Sequence, residues 1–188
     1  MQINDLKFES EYWGDCTNTF DEDQKHYVYA KYMGLQREHF SFNVFGKTIL
    51  DIGGGPTSML LKAKNLKEGL VCDPLKYPEW TKLRYLEKNI NVKAIRGEDI
   101  IEEGWDEVWI YNCLQHTQDP ELIIQNTKRA GKRLRIFEWI DRPQEVGHPQ
   151  VLTQENLEKW IGQKGKASYI NENGATGKAF YGVFEFKN

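Results

Sequence analysis

Short apolar runs recur through the middle of this chain, each followed by a more polar stretch. Thr48-Ile49-Leu50-Asp51-Ile52 is the first, and Gly69-Leu70-Val71-Cys72-Asp73 the second. Val92-Lys93-Ala94-Ile95-Arg96, Glu107-Val108-Trp109-Ile110-Tyr111 and Leu134-Arg135-Ile136-Phe137-Glu138-Trp139 follow. Runs this short suit buried strands, and the spacers 57–65, 80–88 and 120–130 are long enough for helices. Strands alternating with helices predict a mostly parallel sheet covered on both faces. Nearer the start, Asp21-Glu22-Asp23 opens a helix on which Val28, Tyr32 and Leu35 recur at helical spacing, with Gly34 near its stop. Beyond the loop 142–150, Thr153 caps a helix carrying Leu157, Trp160 and Ile161. Two closing strands, 167–171 and 179–186, form an edge hairpin whose connection, holding Gly174 and Gly177, is longer than a tight turn. Phe180, Gly182, Phe184 and Phe186 share one face of the last strand.

Composition narrows the class of protein. With 188 residues the chain fits one domain, and 13% aromatics is too rich for a disordered chain. A net charge of −3 gives no long-range attraction to nucleic acid. No apolar run spans a bilayer, and Met1–Lys7 lacks the order of a signal peptide, so a cytoplasmic protein is expected. Cys16, Cys72 and Cys113 are scattered, which suits neither a disulfide framework nor a zinc site.

The most specific local feature is Asp51-Ile52-Gly53-Gly54-Gly55-Pro56-Thr57-Ser58, placed where the first strand hands over to the next element. Glycines there let a ligand approach the backbone, and in an open parallel sheet ligands bind outside the carboxyl ends of the strands. A dinucleotide fingerprint would need a glycine at Ser58, and the Gly-Lys-Ser/Thr of a phosphate loop is absent. A carboxylate at Asp51 is awkward beside a pyrophosphate but suits a ligand that carries an ammonium group. Asp73, 22 residues further on at the end of the second strand, can accept both hydrogens of a ribose diol.

At these residues the chain resembles the class I S-adenosylmethionine (SAM) methyltransferases, whose first motif is acidic-x-Gly-x-Gly. Asp51, Gly53 and Gly55 match it, and Thr57 stands where a last glycine is common. Tyr111-Asn112-Cys113-Leu114-Gln115-His116-Thr117-Gln118-Asp119-Pro120 resembles the segment after strand four in small-molecule methyltransferases of the quinone-biosynthesis type. Leu114, His116, Asp119 and Pro120 match its Leu-x-His-x-x-Asp-Pro spacing. The resemblance covers about residues 48–139. It implies an α/β, Rossmann-like, doubly wound and mostly parallel seven-stranded sheet with a C-terminal antiparallel hairpin. Residues 1–188 would form one methyltransferase domain: a helical lid region over 1–46, a SAM-binding core over 47–141, and a helix with edge hairpin over 142–188.

The resemblance also implies roles. Asp51 would help orient the methionine moiety, with Gly53, Gly54 and Gly55 passing beneath it. Asp73 would hold the ribose, Glu98 or Asp99 would approach the adenine amino group, and Asn112 would lie against the cofactor. His116 is the expected base, since an imidazole titrates near neutral pH, and His148 is a second candidate. His26 and His39 read as surface or packing residues of the first helix, and Trp13 as a lid or packing residue. The implied activity is methyl transfer from SAM, leaving S-adenosylhomocysteine, to an oxygen or nitrogen of a small-molecule acceptor, a scheme that needs no metal. One alternative is an RNA-modifying methyltransferase, which the basic stretch 128–135 keeps in view. Another is a non-catalytic SAM-binding sensor or partner subunit, acting as a homo-oligomer or with a second protein.

Overall fold

The computed structural model describes residues 5–186; the first four residues of the Met1–Lys7 stretch lie outside them. The apolar runs form the parallel strands β3 (Thr48–Ile52), β5 (Glu68–Cys72), β6 (Ile90–Lys93), β7 (Glu107–Tyr111) and β8 (Arg133–Trp139). Strands β9 (Lys166–Glu172) and β10 (Ala175–Glu185) are antiparallel additions at one edge. The seven-stranded order is β6-β5-β3-β7-β8-β10-β9, so the strand order reverses between β3 and β7.

Alternation along each strand feeds two cores. Leu50, Ile52, Val108, Ile110, Leu134 and Ile136 face one side, where they meet α4 (Pro120–Ala130) and α5 (Gln154–Ile161). Ile49, Val71, Trp109, Tyr111, Phe137 and Trp139 face the other, toward α2 (Phe20–Tyr32) and Tyr85 of α3 (Glu79–Leu86). Both faces are therefore covered, as the near-continuous apolar strands require. Local caps set the helix starts. Asp119 accepts the Leu122 N–H at 2.9 Å with Pro120 in the first turn, and Thr153 accepts the Asn156 N–H at 3.1 Å.

The structure corrects two sequence expectations. Residues 57–65 do not form an α-helix. Ser58 caps a 3-10 turn, Met59–Lys62, that runs directly into β4 (Ala63–Lys64). Met59 and Leu60 are buried side by side, without a 3.6-residue stripe, and Asn65 ends the segment at φ +57°. Strand β4 joins β1 (Arg37–Glu38) and β2 (Ser41–Asn43) in a small second sheet. The edge hairpin, in turn, is tight. Asn173 and Gly174, at φ +45° and +78°, are the two turn residues, and Ala175 pairs with Glu172. Asn-Gly is the pair that a two-residue turn of this hand favours.

Candidate functional site

The carboxyl ends of β3, β5, β6 and β7 open onto a cavity of about 430 Å³, a size usual for small-molecule sites. It sits at the reversal of strand order, as expected for an open parallel sheet. Gly53, Gly54, Gly55, Asp73, Glu98, Asn112 and His116 all line it, as does His148.

Asp51 and Asp99 are not among the lining residues. Asp51 is fully buried, with its carboxylate turned beneath the glycine loop. Its Oδ2 accepts the Ser58 hydroxyl and the Tyr111 hydroxyl, the latter at 2.6 Å. Burial pushes its pKa up to about 7, against the opposing effect of those two hydrogen bonds. The expected contact with a methionine moiety is thus replaced by support of the loop from below. Tyr85 helps, donating to the Gly55 carbonyl at 2.8 Å and accepting the Ser58 N–H at 2.7 Å. These side chains hold a loop that has no α-helix behind it. Asp99 is exposed. Its neighbour Glu98 faces the cavity and accepts the backbone N–H groups of Gln118 and Asp119 at 3.0 and 3.1 Å.

Two glycines are required for different reasons. Gly53, at φ +73°, lets the loops after β3 and β7 touch, since a Cβ there would lie 2.1 Å from the Cys113 Sγ. Gly55, at φ +64°, leaves open space, with Trp13 and Tyr77 the nearest side chains at 4.0 Å. A ligand can rest on the backbone there, where any side chain would intrude.

Asp73 is 8% exposed. Its Oδ1 accepts the Leu75 N–H at 3.0 Å and the Tyr77 hydroxyl at 2.7 Å. Burial raises its pKa, although these hydrogen bonds oppose the shift. Glu138, at the end of β8, was not legible as a site residue. It is fully buried and its Oε1 accepts the N–H groups of Cys113 and Leu114 at 3.0 and 3.1 Å, fixing the turn after β7. Burial pushes it up to about 7.

His116 is a tether in this arrangement. Its Nδ1 lies 2.9 Å from the Glu9 carboxylate and 2.7 Å from the Gly147 carbonyl, and its Nε2 lies 3.2 Å from the Gln115 Nε2. Burial disfavours the charged ring, but Glu9 and Gly147 outweigh it and raise the pKa. Nδ1 faces two acceptors and so carries a proton, while Nε2 lies against the Gln115 amide nitrogen. The contact instead holds α1 (Asp5–Trp13) across the cavity, where Phe8, Tyr12 and Trp13 add aromatic surface to the wall.

Helix α2 supplies residues that sequence reasoning missed. Glu22, His26 and Tyr29 line the cavity at the i, i+4, i+7 spacing of one helix face. His26 is buried, not on the surface, and is held neutral by burial and by Lys62 and Lys25. His39 lies outside the helix, in the turn between β1 and β2. The only sequence signal for the stripe was its spacing, which reads equally as core packing.

None of the three cysteines is poised as a nucleophile. Burial raises the pKa of each, that of Cys72 to about 12. The basic stretch is engaged in internal contacts. Arg129 donates to the Ile100 carbonyl, Lys132 pairs with Asp106 at 3.0 Å, and Arg133 and Arg135 pair with Glu107 at 3.0 and 2.7 Å. No helix among the described residues is long and apolar enough to cross a membrane, and no group of three or more metal-ligating side chains occurs among them.

No protein-family model and no curated protein matches this chain. Solved structures match it over nearly its whole length. The N-methyltransferase NodS from Bradyrhizobium japonicum WM9, in complex with S-adenosylhomocysteine, has a TM-score of 0.69 at 11% identity, covering 98% of this chain and 100% of that one. The complex between the Haloferax volcanii Trm112 methyltransferase activator and a methyltransferase gives 0.66 at 11%, covering 95% and 96%. Magnesium protoporphyrin IX methyltransferase from Synechocystis PCC 6803, with bound SAM, gives 0.60 at 12%, covering 96% and 97%. The fold is that of the class I methyltransferases. At such identities the likeness is one of architecture.

Proposed function

We propose that this chain is a SAM-dependent methyltransferase acting on an oxygen or nitrogen of a small-molecule acceptor. The observation that carries this reading is the convergence of Gly55, Asp73, Glu98 and Asn112 on one cavity at the strand reversal. The residues fit the cofactor. Gly55 offers bare backbone, Asp73 a carboxylate for the ribose hydroxyls, and Glu98 a further acceptor on the next strand end. Asp73, a buried carboxylate that lines the cavity and accepts only from the Leu75 N–H and the Tyr77 hydroxyl on its Oδ1, suits a ligand that brings hydrogen-bond donors.

SAM supplies an activated methyl group, and the chain's own residues bind and orient it. The glycine loop and Asp73 position the nucleoside and amino-acid ends. Phe8, Tyr12 and Trp13 exclude water from above. Positioning of two reactants can contribute roughly 7–11 kcal/mol in favourable cases, so a dedicated base is not the main requirement. The engagement of Arg129, Lys132, Arg133 and Arg135 within the molecule weakens the RNA-modifying alternative. The likeness to a methyltransferase solved with its activator keeps a partner-supported enzyme as a second reading.

Calorimetric titration with SAM, S-adenosylhomocysteine and NADH tests the proposal. Micromolar binding of the first two and none of NADH is expected. Binding of NADH alone overturns it.

A further inference from the structure

One end of the cavity is left with acceptor groups that no protein donor satisfies. Glu22 on α2 fixes the orientation of two amides in turn. A carboxylate only accepts, so the Asn112 Nδ2 faces it, at 3.2 Å from the Glu22 Oε1. That turns the Asn112 Oδ1 toward the Gln115 Nε2, at 3.0 Å. The Gln115 Oε1 is therefore left over, buried and unpartnered, on a residue only 3% exposed. The Tyr29 hydroxyl is likewise buried with no partner at hydrogen-bond distance, although the Glu22 carboxylate and the Trp139 indole lie close enough to act on it. Burial and then the neighbouring Glu22 carboxylate push its pKa well above the ordinary range, so it stays a neutral phenol. Buried polar atoms are rarely left unpaired, and two of them on one cavity wall mark where a ligand's polar group belongs.

We propose that the acceptor is a primary amine carried on an aromatic body, its nitrogen held by Glu22, Tyr29 and Gln115. This rests on the methyltransferase reading above. Three groups able to accept converge here: a carboxylate, a phenol oxygen and an amide oxygen. A hydroxyl acceptor brings one hydrogen and a carboxylate none, whereas an amine brings two and an ammonium three. The Lys25 Nζ lies 3.3 Å from the Glu22 Oε2, so a ligand nitrogen would share this carboxylate with Lys25. Tyr111 and Trp139, with ring centres 6.0 and 6.5 Å from that of Tyr29, form an aromatic wall suited to a cation and to a flat apolar body.

The chemistry balances without another reagent. The bound ammonium gives one proton to the Glu22 carboxylate, which passes it to water. The freed nitrogen lone pair forms the bond to the methyl carbon, and the carbon–sulfur bond breaks with its electron pair remaining on sulfur. The products are the N-methylammonium and S-adenosylhomocysteine.

The test is calorimetry on protein saturated with S-adenosylhomocysteine, using 2-phenylethylamine and its isostere 2-phenylethanol. The amine should bind saturably and the alcohol at least about tenfold more weakly. Tyr29→Phe and Glu22→Gln should each weaken amine binding by about tenfold, with unchanged circular dichroism. Equal binding of amine and alcohol overturns the proposal, as does unchanged amine affinity in both variants. Failure of the amine to bind while S-adenosylhomocysteine still binds overturns it alone. Failure of S-adenosylhomocysteine to bind removes the methyltransferase reading and this inference together.

Discussion

The two ends of the central sheet bury carboxylates to the same depth and treat them in opposite ways. At the amino end of β7, Glu107 is 1% exposed and is ringed by Lys47 at 2.5 Å, Arg133 at 3.0 Å and Arg135 at 2.7 Å, with the Trp109 Nε1 donating at 3.0 Å. Burial pushes this carboxyl up, but Arg135 and Lys47 outweigh it and bring it down to about 2. At the carboxyl end, Asp51 and Glu138 are fully buried among hydroxyls and backbone N–H groups, and burial wins, taking both to about 7. One end is neutralised within the chain and serves stability. At the other, hydroxyls and backbone N–H groups stand where the cations stand at the first.

The largest effect should come from breaking the neutralised end. Glu107→Ala removes the shared carboxylate of Lys47, Arg133 and Arg135 and should lower stability by about 3 kcal/mol in urea unfolding. A loss below about 1 kcal/mol would mean that the cluster is no better than a surface network.

A change in pH sharpens the contrast, because the two ends titrate with opposite sign. Asp51, raised from 3.8 to about 7, and Glu138, raised from 4.5 to about 7, hold more protons in the folded than in the unfolded state. Their contribution is full at low pH and is lost as pH rises from about 4 to about 7, by on the order of 4 kcal/mol for Asp51 and 3 kcal/mol for Glu138. Glu107 is the reverse: its contribution is present above about 4.5 and is lost as pH falls toward about 2. Asp51→Asn should therefore flatten the decline of the melting temperature between pH 4 and 7. An unchanged slope would show that Asp51 is not the group being titrated.

Asp73→Ala touches only the ligand end. It should weaken S-adenosylhomocysteine roughly ten- to a hundredfold by calorimetry, the usual effect of losing hydrogen bonds to a charged group. Unchanged affinity would remove the ribose assignment. The smallest effect is expected at the lid. His116→Gln loosens the contact with Glu9 and should speed amide exchange in α1, with little change in global stability. Because the raised pKa favours the imidazolium, the wild-type tether is full below about pH 6.5 and weakens as pH rises above it. Exchange in α1 that ignores both the substitution and pH would deny His116 this role.

Legibility in the sequence followed the range of the interaction. Residues 48–52 and 107–111 read as strands because their apolar runs are local, and α4 read correctly over Pro120–Ala130 because Asp119, Pro120 and Gly131 punctuate it. The helix expected over 57–65 failed because alternation says that something crosses over, not that it is an α-helix. The stripe read on α2 as Val28, Tyr32 and Leu35 missed the face that lines the cavity, Glu22, His26 and Tyr29. A polar group on an inward face has no mark in the sequence that separates a ligand contact from a satisfied core residue.

By itself the sequence determined the parallel α/β architecture, the glycine loop at the end of the first strand and the carboxylate of Asp73 at the end of the second. These follow from residue spacing and from backbone conformations that few residue types can adopt. Only the tertiary structure decided that Asp51 supports the loop from beneath, that Glu138 fixes the turn after β7, and that His116 ties down α1. It alone also left the Tyr29 and Gln115 oxygens unpaired beside Glu22. Each of those roles depends on partners distant in sequence, and on a balance of burial against hydrogen bonding that exists only once the chain is packed.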